Sequence, residues 1–117
     1  MSKYSQRVVV PWFAEHGLVA IPEFQFDPSR KWRADFYFAP DILLEVEGAV
    51  WTGGRHTRGS GFVKDMEKYN RAAVLGYRIL RTTPDDLCLQ ETVEMIKKAL
   101  TLELNGNNIG IRRIDKL

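Results

Sequence analysis

The stretch Trp32-Arg33-Ala34-Asp35-Phe36-Tyr37-Phe38-Ala39-Pro40-Asp41-Ile42-Leu43-Leu44-Glu45-Val46-Glu47-Gly48 decides the fold. Its first seven residues are rich in aromatics and alternate in character, which predicts a strand. Ala39-Pro40-Asp41 predicts a turn, and residues 42–47 predict a second strand that stops at Gly48. A hairpin symmetric about Pro40 sets Asp35 opposite Glu45 and Arg33 opposite Glu47. Side chains in a strand repeat every two residues, so these four share one face, with opposed Cβ atoms roughly 4.5–5.5 Å apart. Ala34, Phe36, Leu44 and Val46 fall on the other face and form a candidate core.

Carboxylates held this close repel, and more so where water is excluded. A hard divalent cation bound by carboxylates, a main-chain carbonyl and water relieves that repulsion. Such an ion also activates water and stabilises the leaving oxygen of a phosphodiester. The plainer alternative is a solvated strand face with Arg33 and nearby lysines as counter-ions.

Outward from the hairpin, residues 5–16 predict a helix capped at Gly17, with Tyr4, Val8, Trp12 and Phe13 on one face. Val8-Val9-Val10 and Pro11 oppose a regular helix, so a kink or a start near Pro11 is expected. Residues 20–26 predict a strand and 27–30 a turn. Residues 51–61 form a glycine-rich basic loop carrying Arg55, His56 and Arg58. From Phe62 the pattern is helical, with Phe62, Met66, Tyr69 and Ala73 on an apolar stripe and Lys64, Lys68 and Arg71 on another. Gly76 ends that helix, and residues 77–81 predict a short strand. Thr83 as N-cap, Pro84 at the first helical position and Asp86 at the third then predict a helix to about Leu104. The order α-β-β-β-α-β-α predicts an α/β (α+β) domain with a central mixed four-stranded sheet flanked by helices.

The 117 residues suffice for one domain, 1–117, with one core. Hydrophobic residues at 44% and charged residues at 27% argue against disorder. One cysteine, Cys88, excludes an internal disulfide. No apolar run of about 18 residues predicts a membrane span, so a cytoplasmic protein, bacterial or in a host cell, is the expectation. The net charge of +2 is unevenly spread. Residues 49–81 hold seven Lys or Arg against two acids, a charge of +5, which leaves −3 for the remainder. A basic segment directly after an acidic hairpin is the composition of a phosphate-binding groove beside a metal site. By itself, a basic helix face is more often a solvated surface.

The hairpin resembles the PD-(D/E)XK nuclease core. The pieces that carry the likeness are Arg30-Lys31-Trp32-Arg33-Ala34-Asp35-Phe36, Glu45-Val46-Glu47-Gly48, Trp51-Thr52-Gly53-Gly54-Arg55-His56-Thr57-Arg58-Gly59, Gly61-Phe62-Val63-Lys64-Asp65-Met66-Glu67-Lys68-Tyr69-Asn70 and Gly76-Tyr77-Arg78-Ile79-Leu80-Arg81. In this order they are similar to small phage and bacterial proteins related to very-short-patch-repair endonucleases. The resemblance implies a restriction-endonuclease-like core and a Mg²⁺- or Mn²⁺-dependent endonuclease acting on DNA, in phage or bacterial DNA processing, repair or recombination. It implies Asp35 and Glu45 as metal carboxylates, with the Val46 carbonyl completing the site. Glu47 stands where the family pattern has lysine, so either Lys68 or Lys64 supplies that charge or Glu47 is a further ligand. His56 matches a histidine of the repair enzymes and is a candidate general base. Glu15, the one acid in the first helix, is a candidate for a second metal, and Glu23 is another possible contributor. Arg33, Arg55, Arg58 and Arg71 are candidate nucleic-acid contacts. Trp32 and Trp51 are candidates for base stacking or packing, and Tyr69 and Asn70 for substrate contact, with Tyr69 equally at home in the core. So small an enzyme has little surface for holding a duplex, which allows a homodimer. A module that keeps the fold and binds nucleic acid without cleaving it, or a phage assembly factor, is the alternative that Glu47 keeps open.

Overall fold

A computed structural model describes residues 4–48 and 59–104. The element order is α1 (Gln6–Glu15), β1 (Ile21–Phe24), β2 (Ala34–Phe38), β3 (Ile42–Val46), α2 (Gly59–Val74), β4 (Arg78–Thr82) and α3 (Gln90–Leu104). The strands form one mixed sheet in the order β1-β2-β3-β4. β2 is antiparallel to both of its neighbours, β1 and β3, and β4 runs parallel to β3. α2 is the crossover that a parallel pair requires. This is the mixed four-stranded α+β architecture, in the order expected from the sequence.

The turn at Pro40 sets the register as the symmetric hairpin requires: Phe36 pairs with Leu44, Tyr37 with Leu43 and Phe38 with Ile42. Phe36, Phe38, Ile42 and Leu44 are buried against Val9 and Phe13 of α1 and Val93 and Ile96 of α3. On the opposite face, Leu43 packs in a second cluster with Phe26, Ala34 and Ala72, the last from α2. The sheet is thus covered on both sides, and residues of β3 are buried whichever way they point.

Three elements depart from the pattern in instructive ways. α1 is continuous from Gln6 through Pro11, because Ser5 caps it by accepting from the Arg7 N–H at 3.2 Å. Pro11 is exposed, where the carbonyl it leaves unpaired can face water. α1 ends in a Schellman motif: Gly17, at φ +83°, donates to Ala14, and Leu18 donates to Phe13.

α2 is rotated from the expected stripe. Ala72 is buried, whereas Met66 is 45% exposed and Ala73 is exposed. The inner face of this helix is set by Lys68 and Ala72, because the strands it covers carry carboxylates as well as apolar residues.

α3 starts at Gln90 rather than at Thr83. Thr83 caps a separate turn, its carbonyl and Oγ1 accepting from the Asp86 N–H. That turn drops Leu87 into the core at 1% exposure before the helix begins.

Candidate active site

Asp35 and Glu45 lie one position beyond the last regular rung of the β2–β3 ladder. There the Asp35 side chain interrupts regular pairing: its Oδ2 accepts from the Val46 main-chain N–H at 2.7 Å. Val46 thus enters the structure through its N–H, which fixes the Asp35 carboxylate against the end of β3. The sequence reading gave Val46 a ligand role through its carbonyl.

Glu45 is 6% exposed. Lys68 of α2 brings Nζ to 3.2 Å from its Oε2. The ammonium also donates to the Arg33 carbonyl at 2.9 Å. Glu45 Oε2 is buried, and among the described residues the Lys68 ammonium holds it by charge rather than through a well-aligned hydrogen bond. Burial pushes the Glu45 carboxyl up to about 7, with Lys68 pulling it down and Asp35 adding to the rise. Tyr4, immediately before α1, leans on the same pair. Burial, then the charges of Asp35, Glu23 and Glu45, push its phenol up to about 12.

The structure separates the two lysines that the sequence left equivalent. Lys68 is partly buried at Glu45, and Lys64, one turn earlier on α2, is exposed. Glu47 pairs with Arg81 of β4, Oε2 to Nη1 at 2.5 Å. Arg33 precedes β2, with its Nη1 at 3.4 Å from the Glu23 carbonyl.

Glu15 is exposed at the last residue of α1. Tyr4 touches the carboxylate pair from the other end, and ten helical residues rise about 15 Å, so α1 carries Glu15 away from the site. Glu23 is nearer: it accepts from Gln6 Nε2 at 3.1 Å and acts on Tyr4.

Arg71 is engaged with buried Asp27, Nε to Oδ2 at 2.7 Å. Trp32 is packed, with Arg30 4.4 Å above its ring and Phe26 stacked beside it. Arg55, His56, Arg58 and Trp51 lie outside the described residues.

Arg81 and Tyr4 are the site residues that sequence reasoning missed. Arg81 is the β4 partner of Glu45 in the parallel register. Its position follows only from the β3–β4 pairing, a non-local contact with no sequence signature. Tyr4 had a signal, being the polar end of the apolar face of the first helix.

The donor set suits a hard divalent cation: two carboxylates side by side, one with a buried oxygen lacking a hydrogen bond. Among the described residues no group of three or more His, Cys, Asp or Glu is arranged to hold a metal, so main-chain or water oxygens would have to complete a shell there. Among those residues, too, no helix is long and apolar enough to cross a membrane. Comparison with known proteins finds no matching family model, curated protein or solved structure.

Proposed function

We propose that this chain is a Mg²⁺- or Mn²⁺-dependent endodeoxyribonuclease that hydrolyses phosphodiester bonds in DNA. The observation that carries this reading is Glu45 Oε2, buried without a hydrogen bond beside a second carboxylate and 3.2 Å from a lysine. A buried carboxylate met by one cation without a well-aligned hydrogen bond is incompletely compensated. A site that receives a cation with its substrate accounts for that shortfall.

Asp35 and Glu45 would hold the ion. When bound, it supplies positive charge against the phosphodiester and activates a water molecule for attack. Lys68, anchored by the Arg33 carbonyl, holds a positive charge beside Glu45, where negative charge develops on the phosphate oxygens. It takes the role that Glu47 cannot fill. Tyr4 keeps its proton at neutral pH and can hold the Asp35 carboxylate in place as a donor.

The test is incubation with supercoiled plasmid DNA in Mg²⁺, in Mn²⁺ and in chelator. Nicking or linearisation is expected with either metal and none with chelator. Asp35→Ala and Glu45→Ala should abolish it, and Lys68→Ala should lower the rate about 10²–10³-fold, as loss of a charge-stabilising donor does elsewhere. Lys64→Ala should lower it little. Cleavage that survives both carboxylate substitutions overturns the metal site. DNA binding with no cleavage under any metal overturns the enzyme in favour of a binding module.

A further inference from the structure

Arg81 is held as few half-exposed arginines are. Its Nη1 sits 2.5 Å from Glu47 Oε2, and its guanidinium carbon lies 4.3 Å from the centre of the Tyr69 ring. Its side chain nonetheless remains 50% exposed. An ion pair in water usually wanders, because holding two long side chains in one geometry costs entropy. Here a ring beneath and a carboxylate beside fix the guanidinium plane. Burial works against the Arg81 cation, but Glu47 and Tyr69 outweigh it and strengthen its hold on its protons.

Its position gives this fixation a purpose. Glu45 and Arg81 are paired residues of parallel neighbours, so their side chains leave the sheet on the same side. Adjacent strands lie about 4.8 Å apart. Asp35, Glu45 and Arg81 therefore form a row across β2, β3 and β4: two carboxylates and then a fixed cation. Tyr69 adjoins Lys68, which closes the row from above. A guanidinium has five N–H donors in a planar fork suited to a phosphate, and Glu47 is engaged through one of them, on Nη1.

We infer that Arg81 is a receptor for a backbone phosphate of the nucleic acid, next to the one presented to Asp35 and Glu45, and that Glu47 is its positioning counter-ion. The inference rests on the nuclease reading above. It gives Glu47 a role distinct from metal ligand or base: holding the guanidinium flat on Tyr69 and yielding part of it to phosphate.

The experiment is anisotropy of a labelled short DNA duplex in Ca²⁺ from 50 to 300 mM KCl, a range chosen to expose the salt slope. The proteins compared are the parent and the variants Arg81→Gln, Arg81→Lys, Glu47→Gln and, as an exposed charge control on α3, Lys98→Gln. Arg81→Gln should weaken binding about tenfold and reduce the slope of log affinity against log salt by about one. Arg81→Lys should keep the slope while binding more weakly, because it retains the charge and loses the fork. Glu47→Gln, which keeps an acceptor for the guanidinium and removes the charge that competes with phosphate, should bind at least as tightly as the parent. If Arg81→Gln keeps the parent's slope, as Lys98→Gln is expected to, or if Glu47→Gln abolishes cleavage at unchanged DNA affinity, the inference is wrong. A parent protein that binds no DNA defeats the nuclease reading itself, which separates the two failures. Should Arg81→Gln not fold, Arg81→Lys and Glu47→Gln still decide it.

Discussion

At Glu45 a single side chain sets competing demands. Its carboxyl is raised from 4.5 to about 7, first by burial. The folded protein holds this proton more tightly than the unfolded chain. Stability from this group is therefore fully present below about 4.5 and is lost as pH rises through about 7. The loss is on the order of 3 kcal/mol at 1.36 kcal/mol per pH unit. Glu45→Gln should thus match the parent near pH 4 and exceed its stability at pH 8 by about 2 kcal/mol, Lys68's lost partner taking back part of the gain. Urea unfolding at the two pH values measures the difference, and a variant no more stable at pH 8 than at pH 4, relative to the parent, contradicts the account. The neighbouring roles were unequally legible in the sequence. Asp35 and Glu45 are adjacent because a two-residue period and a turn at Pro40 are local facts. That Lys68 and not Lys64 meets Glu45 depends on how α2 sits on the sheet, because residues four apart on a helix share a face.

Elements are fastened to one another by buried acids. The turn after β1 is tied to α2 through Asp27, which is 1% exposed and accepts from the Ser29 N–H at 3.0 Å, the Ser29 hydroxyl at 2.8 Å and Arg71 at 2.7 Å. The Ser29 main-chain bond and then Arg71 hold its carboxyl down to about 2. Here the sign is reversed: the contribution is present above about 3.8 and lost as pH falls towards 2. Asp27→Asn is expected to lower the melting temperature at pH 7, with the gap to the parent closing between pH 4 and pH 2. Thermal melts across that range check it, and a gap that stays constant would mean that the carboxylate charge is not what stabilises the turn. The sequence announced α1, α2 and their glycine ends, since capping residues act within one turn. It misplaced the start of α3, where the chain delays the helix in order to bury Leu87, a tertiary demand stronger than a good capping sequence.

At the scale of the molecule, much of the uneven charge among the described residues is internal stitching. Lys68, Arg71, Arg78 and Arg81 of the basic segment pair with Glu45, Asp27, Asp41 and Glu47 outside it. The most closed of these pairs is Arg78 with Asp41: Nε and Nη2 each lie 3.0 Å from a carboxylate oxygen, and Nη1 reaches the Ala99 carbonyl of α3 at 3.0 Å. Asp41 is 2% exposed. Arg78→Ala removes the guanidinium that binds Asp41 through two hydrogen bonds and should cost about 3–5 kcal/mol. The double variant Arg78→Ala with Asp41→Ala should lose less than the single one, because the buried charge that Arg78 serves is removed with it. A double variant as unstable as Arg78→Ala alone would show that packing, and not charge, makes up the loss.

The sequence by itself determined the element order, the hairpin register and the adjacency of Asp35 and Glu45, because periodicity, turn chemistry and capping operate over a few residues. Tertiary structure alone decided which cation each carboxylate receives. Lys68, Arg78 and Arg81 reach their partners across the β3–α2–β4 crossover, and the roll of a helix and the pairing of parallel strands are fixed by packing that no local pattern records. The same packing made Glu47 the partner of Arg81.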